Sequence, residues 1–232
     1  MAADTQLQIA PTGEASNLRA RAYDALKIAI LNMNIYADGA QLRLDERDLS
    51  QRIGVGRTPL REALAQLDQE GLVKRVPRQA AFIVRKTKAE ILDMITVWAA
   101  LKSMAARLAT QHADAGEIAR LHALVDQFSQ DEVARKMGEY SEANIKFHQA
   151  IIGLGKCPLI VEITDSLFFH MRAIRQLTIF EQDRARCSIV DHNEIVAALE
   201  VRNTDRTERL VREHALRLDL AGGTSLTPQR SR

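Results

Sequence analysis

The fold of the N-terminal part of the chain is decided by residues 45–64, DERDLSQRIGVGRTPLREAL. Asp45 is a favourable N-cap for a short helix in which Leu49 and Ile53, four residues apart, lie on one face. The glycines in Gly54-Val55-Gly56 predict a tight turn, and a proline then falls in the first turn of the next helix, where its missing N–H costs nothing. The stretch therefore predicts a helix-turn-helix.

The segments on either side of this stretch complete a small domain. Apolar residues recur at helical spacing from Leu18 to Leu31, and Asn34 is placed to end that helix in the left-handed conformation. Two β-prone runs, Leu72 to Val76 and Ala81 to Arg85, flank a turn that contains a proline, and they predict a hairpin. This order of elements predicts a winged helix-turn-helix over residues 17–86.

Positive charge is concentrated in this first third of the chain. The whole chain has 32 Lys or Arg and 30 Asp or Glu, a formal net charge of +2. Residues 17–86 contain 13 basic and 8 acidic residues, a net charge of +5, whereas residues 87–232 have a net charge of −1. A segregated basic segment favours a polyanionic partner for that segment alone.

The composition excludes several classes of protein. Hydrophobic residues make up 46% of the 232 residues, with only 11 Gly and 5 Pro, which excludes collagen-like and low-complexity chains. No window approaches the roughly 18 apolar residues of a membrane span, and the polar N-terminus lacks an export signal. Cys157 and Cys187 are too few for a disulfide framework or a thiolate zinc site. We therefore expect a cytoplasmic protein with no membrane partner.

The rest of the chain predicts helices only. Thr87 with Glu90, and Asp114 with Glu117, match the capping-box signature of a helix start. The predicted helices cover residues 87–112, 115–128, 131–137, 139–154, 158–177, 182–201 and 205–220. The chain is therefore predicted to be mainly α, with a second domain that is an all-α helical bundle. In chain order the expected parts are a disordered tail (1–16), the winged helix-turn-helix (17–86), the bundle (87–221) and a second disordered tail (222–232).

The third helix of the first domain presents residues suited to DNA. Its first turn exposes Arg57, Thr58 and Arg61. Arginine matches guanine O6 and N7 in the major groove, and the amides of a helix N-terminus favour phosphate. The basic surface continues onto the preceding helix and the wing, with Arg47, Lys74, Arg75 and Arg78. A solvated basic face is the alternative, but the turn and wing together favour double-stranded DNA as the partner.

Three histidines of the second domain share helix faces with apolar residues. His148, His192 and His214 lie on three predicted helices, and Asn144 precedes His148 by one helical turn. An unpaired imidazole in a core costs roughly 1 to 3 kcal/mol, so the three rings are expected to share a partner. Three histidines and an oxygen donor suit a divalent metal such as Zn or Ni. Three separately hydrogen-bonded core histidines are the alternative.

Both domains resemble one family of regulators. From Tyr23 to Val84, and most of all in Leu49–Leu64, the chain is similar to the N-terminal domain of GntR-family bacterial transcription regulators. The segments around Asn144–His148, Asp191–Val196 and Arg212–His214 resemble the FCD effector-binding domain of the FadR-like branch of that family. The resemblance therefore covers most of the chain.

The resemblance implies roles for particular residues. In the first domain it implies operator contacts by Arg47, Arg57, Thr58 and Arg61. Arg78 and Gln79 on the wing are further candidate DNA contacts. The family's wing tip usually has Arg-Gly, whereas this chain has Gln79-Ala80, which disfavours the close backbone approach that glycine allows. In the second domain it implies metal ligation by His148, His192 and His214, with Asn144 in the position of the family's aspartate.

The resemblance also implies a small effector, usually a carboxylate, in the cavity near the metal. Arg172 and Arg175 are candidate anchors, because a guanidinium pairs with a carboxylate. A solvated surface arginine is the alternative for either. Trp98 stands where the family commonly has Arg, and Lys102 where it commonly has Glu. We expect Trp98 to narrow the cavity and to favour an effector with an apolar or aromatic portion. We expect Lys102 to replace the positive charge of the family's arginine. Core or dimer packing is the alternative for Trp98.

We interpret the sequence as that of a homodimeric DNA-binding transcription regulator, expected to be a repressor, whose operator affinity is controlled by an effector. A helical metalloenzyme with a nucleic-acid-docking N-terminal domain is the alternative, and an architectural DNA binder without an effector is a third possibility. The sequence has no Glu-x-x-His, His-Glu-x-x-His, Gly-x-Ser-x-Gly or phosphate-binding glycine loop. We therefore do not expect an enzyme.

Overall fold

The computed structural model of the chain describes residues 18–76, 80–127, 136–178 and 184–220. Two compact units meet in sequence between Lys86 and Thr87. The predicted fold class, a winged helix-turn-helix followed by an all-α bundle, is confirmed. The predicted tails and most of the short helix expected at 131–137 lie outside the described residues.

The first unit contains three helices and three strands in its described part. They are α1 (Leu18–Asn32), β1 (Arg43–Leu44), α2 (Glu46–Ile53), α3 (Arg57–Gln69), β2 (Val73–Val76) and β3 (Ala80–Ile83). The Asp45 carboxylate caps α2, accepting hydrogen bonds from the backbone N–H groups of Arg47 at 2.9 Å and Asp48 at 3.0 Å. Gly54, with φ of 71°, ends α2. The predicted helix-turn-helix therefore forms from its local capping and turn signals.

The loop after α1 differs from the expectation for Asn34. The helix ends at Asn32, and Asn34 does not have a positive φ. Its side-chain oxygen instead accepts a hydrogen bond from the backbone N–H of Tyr36 at 3.3 Å, and its carbonyl accepts one from Ala37 at 3.2 Å. The expectation of a left-handed Asn34 was wrong because the side chain forms an Asx turn instead.

The hairpin forms as predicted and acquires a third strand. Strands β2 and β3 pair antiparallel from Val73 opposite Ile83 to Val76 opposite Ala80. The two-residue strand β1 adds to the free edge of β3, in the order β1-β3-β2. Two residues are too few to show an alternating pattern, so sequence periodicity could not predict β1.

The second unit is helical throughout its described part. Its helices are α4 (Lys88–His112), α5 (Ala115–Val125), α6 (Met137–Leu154), α7 (Pro158–Thr178), α8 (Arg184–Glu200) and α9 (Thr204–Leu220). Helix α4 packs against α6, α7 and α9, while α5 packs against α6 and α8. Both predicted capping boxes form, at Thr87 with Glu90 and at Asp114 with Glu117. None of the helices in the described ranges has the length and apolar character needed to cross a membrane.

A cluster of buried apolar side chains forms the core of this bundle. Aliphatic side chains of five helices form the core cluster, among them Ala109 on α4, Leu121 on α5 and Val211 on α9. Phe147 on α6 belongs to the same cluster and is followed directly by a buried histidine. The close packing of these helices therefore fixes the backbone positions from which the polar side chains project.

Candidate functional site

The three histidines singled out from the sequence converge in the bundle. His148 projects from α6, His192 from α8 and His214 from α9, and all three are buried. One nitrogen of each ring lies within 4.8 Å of the corresponding nitrogens of the other two. Helical spacing placed each ring on an inward face, but only the packing of three helices brings them together. The cluster could hold a metal ion.

Two of the rings have the arrangement expected of metal ligands. His192 Nε2 and His214 Nε2 are 3.3 Å apart. Two nitrogens bound tetrahedrally at about 2.1 Å from one ion would be separated by about 3.4 Å. His214 Nδ1–H donates a hydrogen bond to Asp191 Oδ2 at 2.8 Å, which leaves the Nε2 lone pair available for an ion.

Asp191 was not predicted as a site residue, although it precedes His192. Burial raises the pKa of its carboxyl, and the nearby Arg217 guanidinium, 3.1 Å from Asp191 Oδ1, acts in the opposite direction. Ser188 Oγ, one helical turn before His192, lies 3.3 Å from His192 Nε2. The Ser188 contact spans one turn of α8, a spacing that the sequence could have indicated. The contact of His214 with Asp191 joins α9 to α8 and became visible only with the packing of the two helices.

Several polar atoms of the second unit are buried without a hydrogen-bond partner among the described residues. They include both side-chain atoms of the Asn144 amide, Trp98 Nε1 and Arg172 Nε. Asn144 is on α6, one turn before His148, as predicted from the sequence. A buried unsatisfied polar group costs about 1 to 3 kcal/mol. The Asn144 amide, one helical turn from His148, is therefore a candidate for contact with a ligand at the histidine cluster.

The structure describes the side chains of three of the four candidate effector residues. Lys102 on α4 is fully buried and its Nζ contacts His148 Nδ1. Trp98, one turn earlier on α4, is buried with its ring 6.2 Å from that of Phe168. Arg172 Nη2 donates a hydrogen bond to Glu142 Oε1 at 2.7 Å. The side chain of Arg175 lies outside the described residues.

The candidate DNA-facing residues lie on α2 and α3. Arg47, Arg57, Thr58 and Arg61 are all exposed. The Arg61 guanidinium is paired with Glu46, a residue that the sequence did not single out. The structure therefore groups four of the six predicted DNA contacts on one pair of helices. Arg78 and Gln79, the other two, lie outside the described residues.

The chain matches two known protein families. Residues 18–83 match the bacterial regulatory proteins of the gntR family, and residues 93–217 match the FCD domain. Together the two matches cover both units of the structure.

Individual relatives agree with these matches. The Nta operon transcriptional regulator of Aminobacter aminovorans is 30% identical over 174 residues, which cover 74% of this chain and 80% of that protein. The HTH-type transcriptional repressor RspR of Escherichia coli K12 is 22% identical over 171 residues, 74% of this chain and 75% of RspR. The solved structure of E. coli McbR/YncC has a TM-score of 0.71 and 21% identity, covering 89% of this chain and 97% of that one, and shows the same fold.

The matched families and the relatives are transcription regulators and not enzymes. A gntR-family DNA-binding unit therefore precedes an effector-binding domain in this chain. The chain belongs to the gntR family of bacterial transcription regulators that carry an FCD domain.

Proposed function

We propose that this regulator is a homodimeric repressor whose operator affinity is controlled by a small carboxylate bound beside a divalent metal in the helical domain. The observation that carries the proposal is the convergence of His148, His192 and His214 beside the unsatisfied amide of Asn144. Burial of the unsatisfied Asn144 amide costs free energy that contact with a bound ligand would recover.

In this proposal the two domains have different functions. Residues 17–86 bind the operator and residues 87–221 bind the metal and the effector, with residues 1–16 and 222–232 as disordered tails. The relative RspR, a transcriptional repressor, supports repression. Because the operator is chromosomal DNA of a bacterium, the proposed place of action is the cytoplasm.

The proposed DNA contacts begin at the N-terminus of α3. Arg57, Thr58 and Arg61 reach base edges and phosphates of the major groove, and Arg47 on α2 adds a phosphate contact. Arg78 and Gln79 of the wing extend the contact along the backbone. Two copies related by a twofold axis read two half-sites, which the symmetry of the homodimer requires to be inverted repeats.

The proposed metal is Zn or Ni. His148, His192 and His214 would supply nitrogens and Asn144 an amide oxygen, a donor set that suits these ions. When bound, such an ion supplies a Lewis-acidic positive charge that attracts a carboxylate. Asn144 is uncharged where the family has an aspartate, so this site holds its metal less tightly than a site with a carboxylate ligand.

The proposed effector lies against α4 and α7. Lys102 and Arg172, with Arg175, supply positive charge for a carboxylate, while Trp98 contacts an apolar part and offers its buried N–H. Binding changes operator affinity only if the two dimer arrangements differ in effector affinity. The acid is therefore proposed to favour the arrangement with the weaker operator affinity.

The test is a thermal melt of the full chain after removal of metals with a chelator. Zn²⁺ and Ni²⁺ are added singly, followed by a panel of small mono- and dicarboxylic acids. We expect the melting temperature to rise with metal and to rise further with at least one acid, because a ligand that binds the folded state stabilises it. A double variant His192→Ala with His214→Ala serves as the control. A melting temperature insensitive to both metals and to every acid would refute the proposal.

A further inference from the structure

The outward face of α4 is apolar along most of its length. Between Ile91 and Thr110 the helix has three charged residues, and one of them, Lys102, is buried. The other two, Asp93 and Arg107, are two heptads apart. The solvent-facing side of a helix normally carries many charged and polar residues. An apolar outward face on a helix of this length is therefore suited to contact with another protein surface.

The apolar residues of this face have the spacing of a helix-packing seam. Steps of three and four residues alternate along the stripe Met94, Val97, Leu101, Met104 and Leu108, as between the a and d positions of a heptad. Val97 and Met104 are 46% and 45% exposed, and the other three are partly exposed. The stripe is distinct from the buried face of α4, which packs within the bundle. A period of 3.5 residues is typical of one helix packed along another, so the stripe predicts a helix as its partner.

The two outward charges indicate a second copy of α4 as that helix. Asp93 and Arg107 are each seven residues from Ala100, one on either side. A twofold axis near Ala100, perpendicular to the helix, brings Asp93 of each copy opposite Arg107 of the other. A parallel pairing would instead bring each charge close to its own counterpart, which is repulsive. Ala100 itself is small and exposed, which permits close approach of the two helices at the axis.

The surroundings of Arg107 are compatible with this pairing. Its ion pairs with Asp205 and Glu208 of the same chain both use Nη1, at 2.9 Å, so its other N–H groups can meet a carboxylate of a second copy. Glu208 is shared with Arg212. These two arginines and two acids have no net charge together, so Asp93 approaches a neutral network with Arg107 as its donor.

We propose that the outward face of α4 is the homodimer interface of the second unit, with the α4 helices of two copies packed antiparallel about an axis near Ala100. The inference rests on the homodimer proposed above and assigns its contact surface. Val97 of one copy then lies beside Met104 of the other, and the two Leu101 side chains flank the axis.

This interface also connects the proposed effector site to the dimer. Trp98 and Lys102 project from the buried face of α4 and directly follow Val97 and Leu101 of the stripe. A packed helix shifts as one body, so a ligand that displaces Trp98 also displaces the interface. The two dimer arrangements that control operator affinity then differ in the way the α4 helices cross.

The first experiment measures the dimer dissociation constant of the full chain by sedimentation equilibrium. Val97→Glu and Met104→Glu each place a charge in the stripe at a position that is exposed in the single chain, so both variants are expected to fold. Val201→Glu is the matched control, because Val201 is 71% exposed in the turn after α8. We expect the dissociation constant to rise at least tenfold for both stripe variants and to keep its wild-type value for Val201→Glu.

The second experiment tests the antiparallel orientation by disulfide cross-linking. Single cysteines are introduced into the full chain carrying Cys157→Ser and Cys187→Ser, and the oxidised proteins are separated on a non-reducing gel. An axis near Ala100 brings the two cysteines of Ala100→Cys within reach of each other. Those of Val97→Cys are separated by roughly 9 Å along the helix axis, which is too far for a disulfide. We expect a covalent dimer for Ala100→Cys only.

Far-ultraviolet circular dichroism establishes which variants are folded. Folded Val97→Glu and Met104→Glu proteins that dimerise as wild type does would overturn the inference and leave the proposed homodimer intact, whereas a monomeric wild type would overturn both. An equal loss of dimer in Val201→Glu would also overturn it, because the effect would then be one of added charge. If the glutamate variants do not fold, cross-linking decides, since absence of a covalent Ala100→Cys dimer contradicts the proposed axis.

Discussion

Arg61 on α3 and Glu46 on α2 form an ion pair in which Arg61 Nε lies 2.7 Å from Glu46 Oε2. The contact uses Nε, so bidentate pairing with guanine through the two terminal nitrogens of the guanidinium remains possible. Glu46 belongs to the first turn of α2, whose start is fixed by the Asp45 cap. The pair therefore links the position of an exposed arginine to the geometry of the preceding helix.

The first prediction concerns Arg61 itself. Arg61→Ala removes a proposed base contact from both half-sites, and we expect operator affinity to fall at least tenfold, consistent with about 1 to 3 kcal/mol for each such contact. A gel-shift assay with the operator measures this loss, and size-exclusion chromatography and effector titration are expected to be unchanged. Arg209→Ala, which alters an exposed arginine of the second unit, is the control. Normal operator affinity of Arg61→Ala would refute the placement of α3 in the major groove.

The second prediction separates Glu46 from Arg61. Glu46→Gln keeps the side-chain length but removes the charge that orients Arg61 and that repels phosphate. We expect affinity for random DNA to rise and affinity for the operator to rise less or to fall, so that their ratio decreases. Fluorescence anisotropy on operator and scrambled duplexes at one fixed salt concentration measures the ratio. A ratio equal to or above that of wild type would show that Glu46 has no role in orientation.

The elements of the first unit were predictable to the extent that they depend on local chemistry. Asp45, Gly54 and the proline after the turn act within a few residues, so their effects are visible in the sequence. The strand β1 and the pair of Arg61 with Glu46 depend on approach between distant segments. Neither leaves a periodic signal in the sequence.

The same distinction applies to the histidine site. One helical turn joins Asn144 to His148, and this relation was predicted from spacing. The contact of Lys102 with His148 joins α4 to α6, and the hydrogen bond of His214 with Asp191 joins α9 to α8. Spacing within one helix cannot reveal contacts between helices, so these partners of the clustered histidines became visible only in the structure.

The third prediction tests the effector role of Trp98. Trp98→Phe keeps an aromatic ring in the buried position but removes the N–H, which has no partner among the described residues. If that N–H binds the effector, its loss costs about 1 kcal/mol, and the affinity for the acid falls several-fold. Calorimetric titration of the acid identified by the melting screen measures the change. Unchanged affinity in Trp98→Phe and also in Trp98→Ala would limit Trp98 to core packing.

The fourth prediction concerns the turn after α6. A Cβ atom at Gly155 would lie 2.8 Å from the carbonyl oxygen of Ala105 on α4, a backbone atom that cannot move aside without shifting the helix. Gly155→Ala is therefore expected to destabilise the second unit by about 1 to 3 kcal/mol, as overpacking does. Gly153→Ala is the matched control, since a Cβ at Gly153 meets nothing within 4 Å. Thermal melts of both variants should show a lower melting temperature for Gly155→Ala only.

The fifth prediction concerns acid stability of the first unit. Burial raises the pKa of Glu70, but hydrogen bonds from Tyr23 at 2.6 Å and from Lys27 at 3.0 Å together lower it below its ordinary value. A carboxyl with a lowered pKa stabilises the folded state fully above its unfolded pKa, about 4.3 for glutamate, and loses this contribution as the pH falls through the folded value. The stabilisation by Glu70 should therefore be constant near neutral pH and disappear below pH 4.

The measurement is the difference in unfolding free energy between wild type and Glu70→Gln, from urea titrations of the full chain between pH 7 and pH 3. Hydrogen exchange in α1 and α3 assigns the transition to the first unit. We expect wild type to be the more stable at pH 7, and the two proteins to converge in acid, because a protonated Glu70 resembles glutamine. Glu62→Gln, at an exposed position of α3, should show no such convergence. A difference that stays constant down to pH 3 would mean that the Glu70 contacts do not depend on its charge.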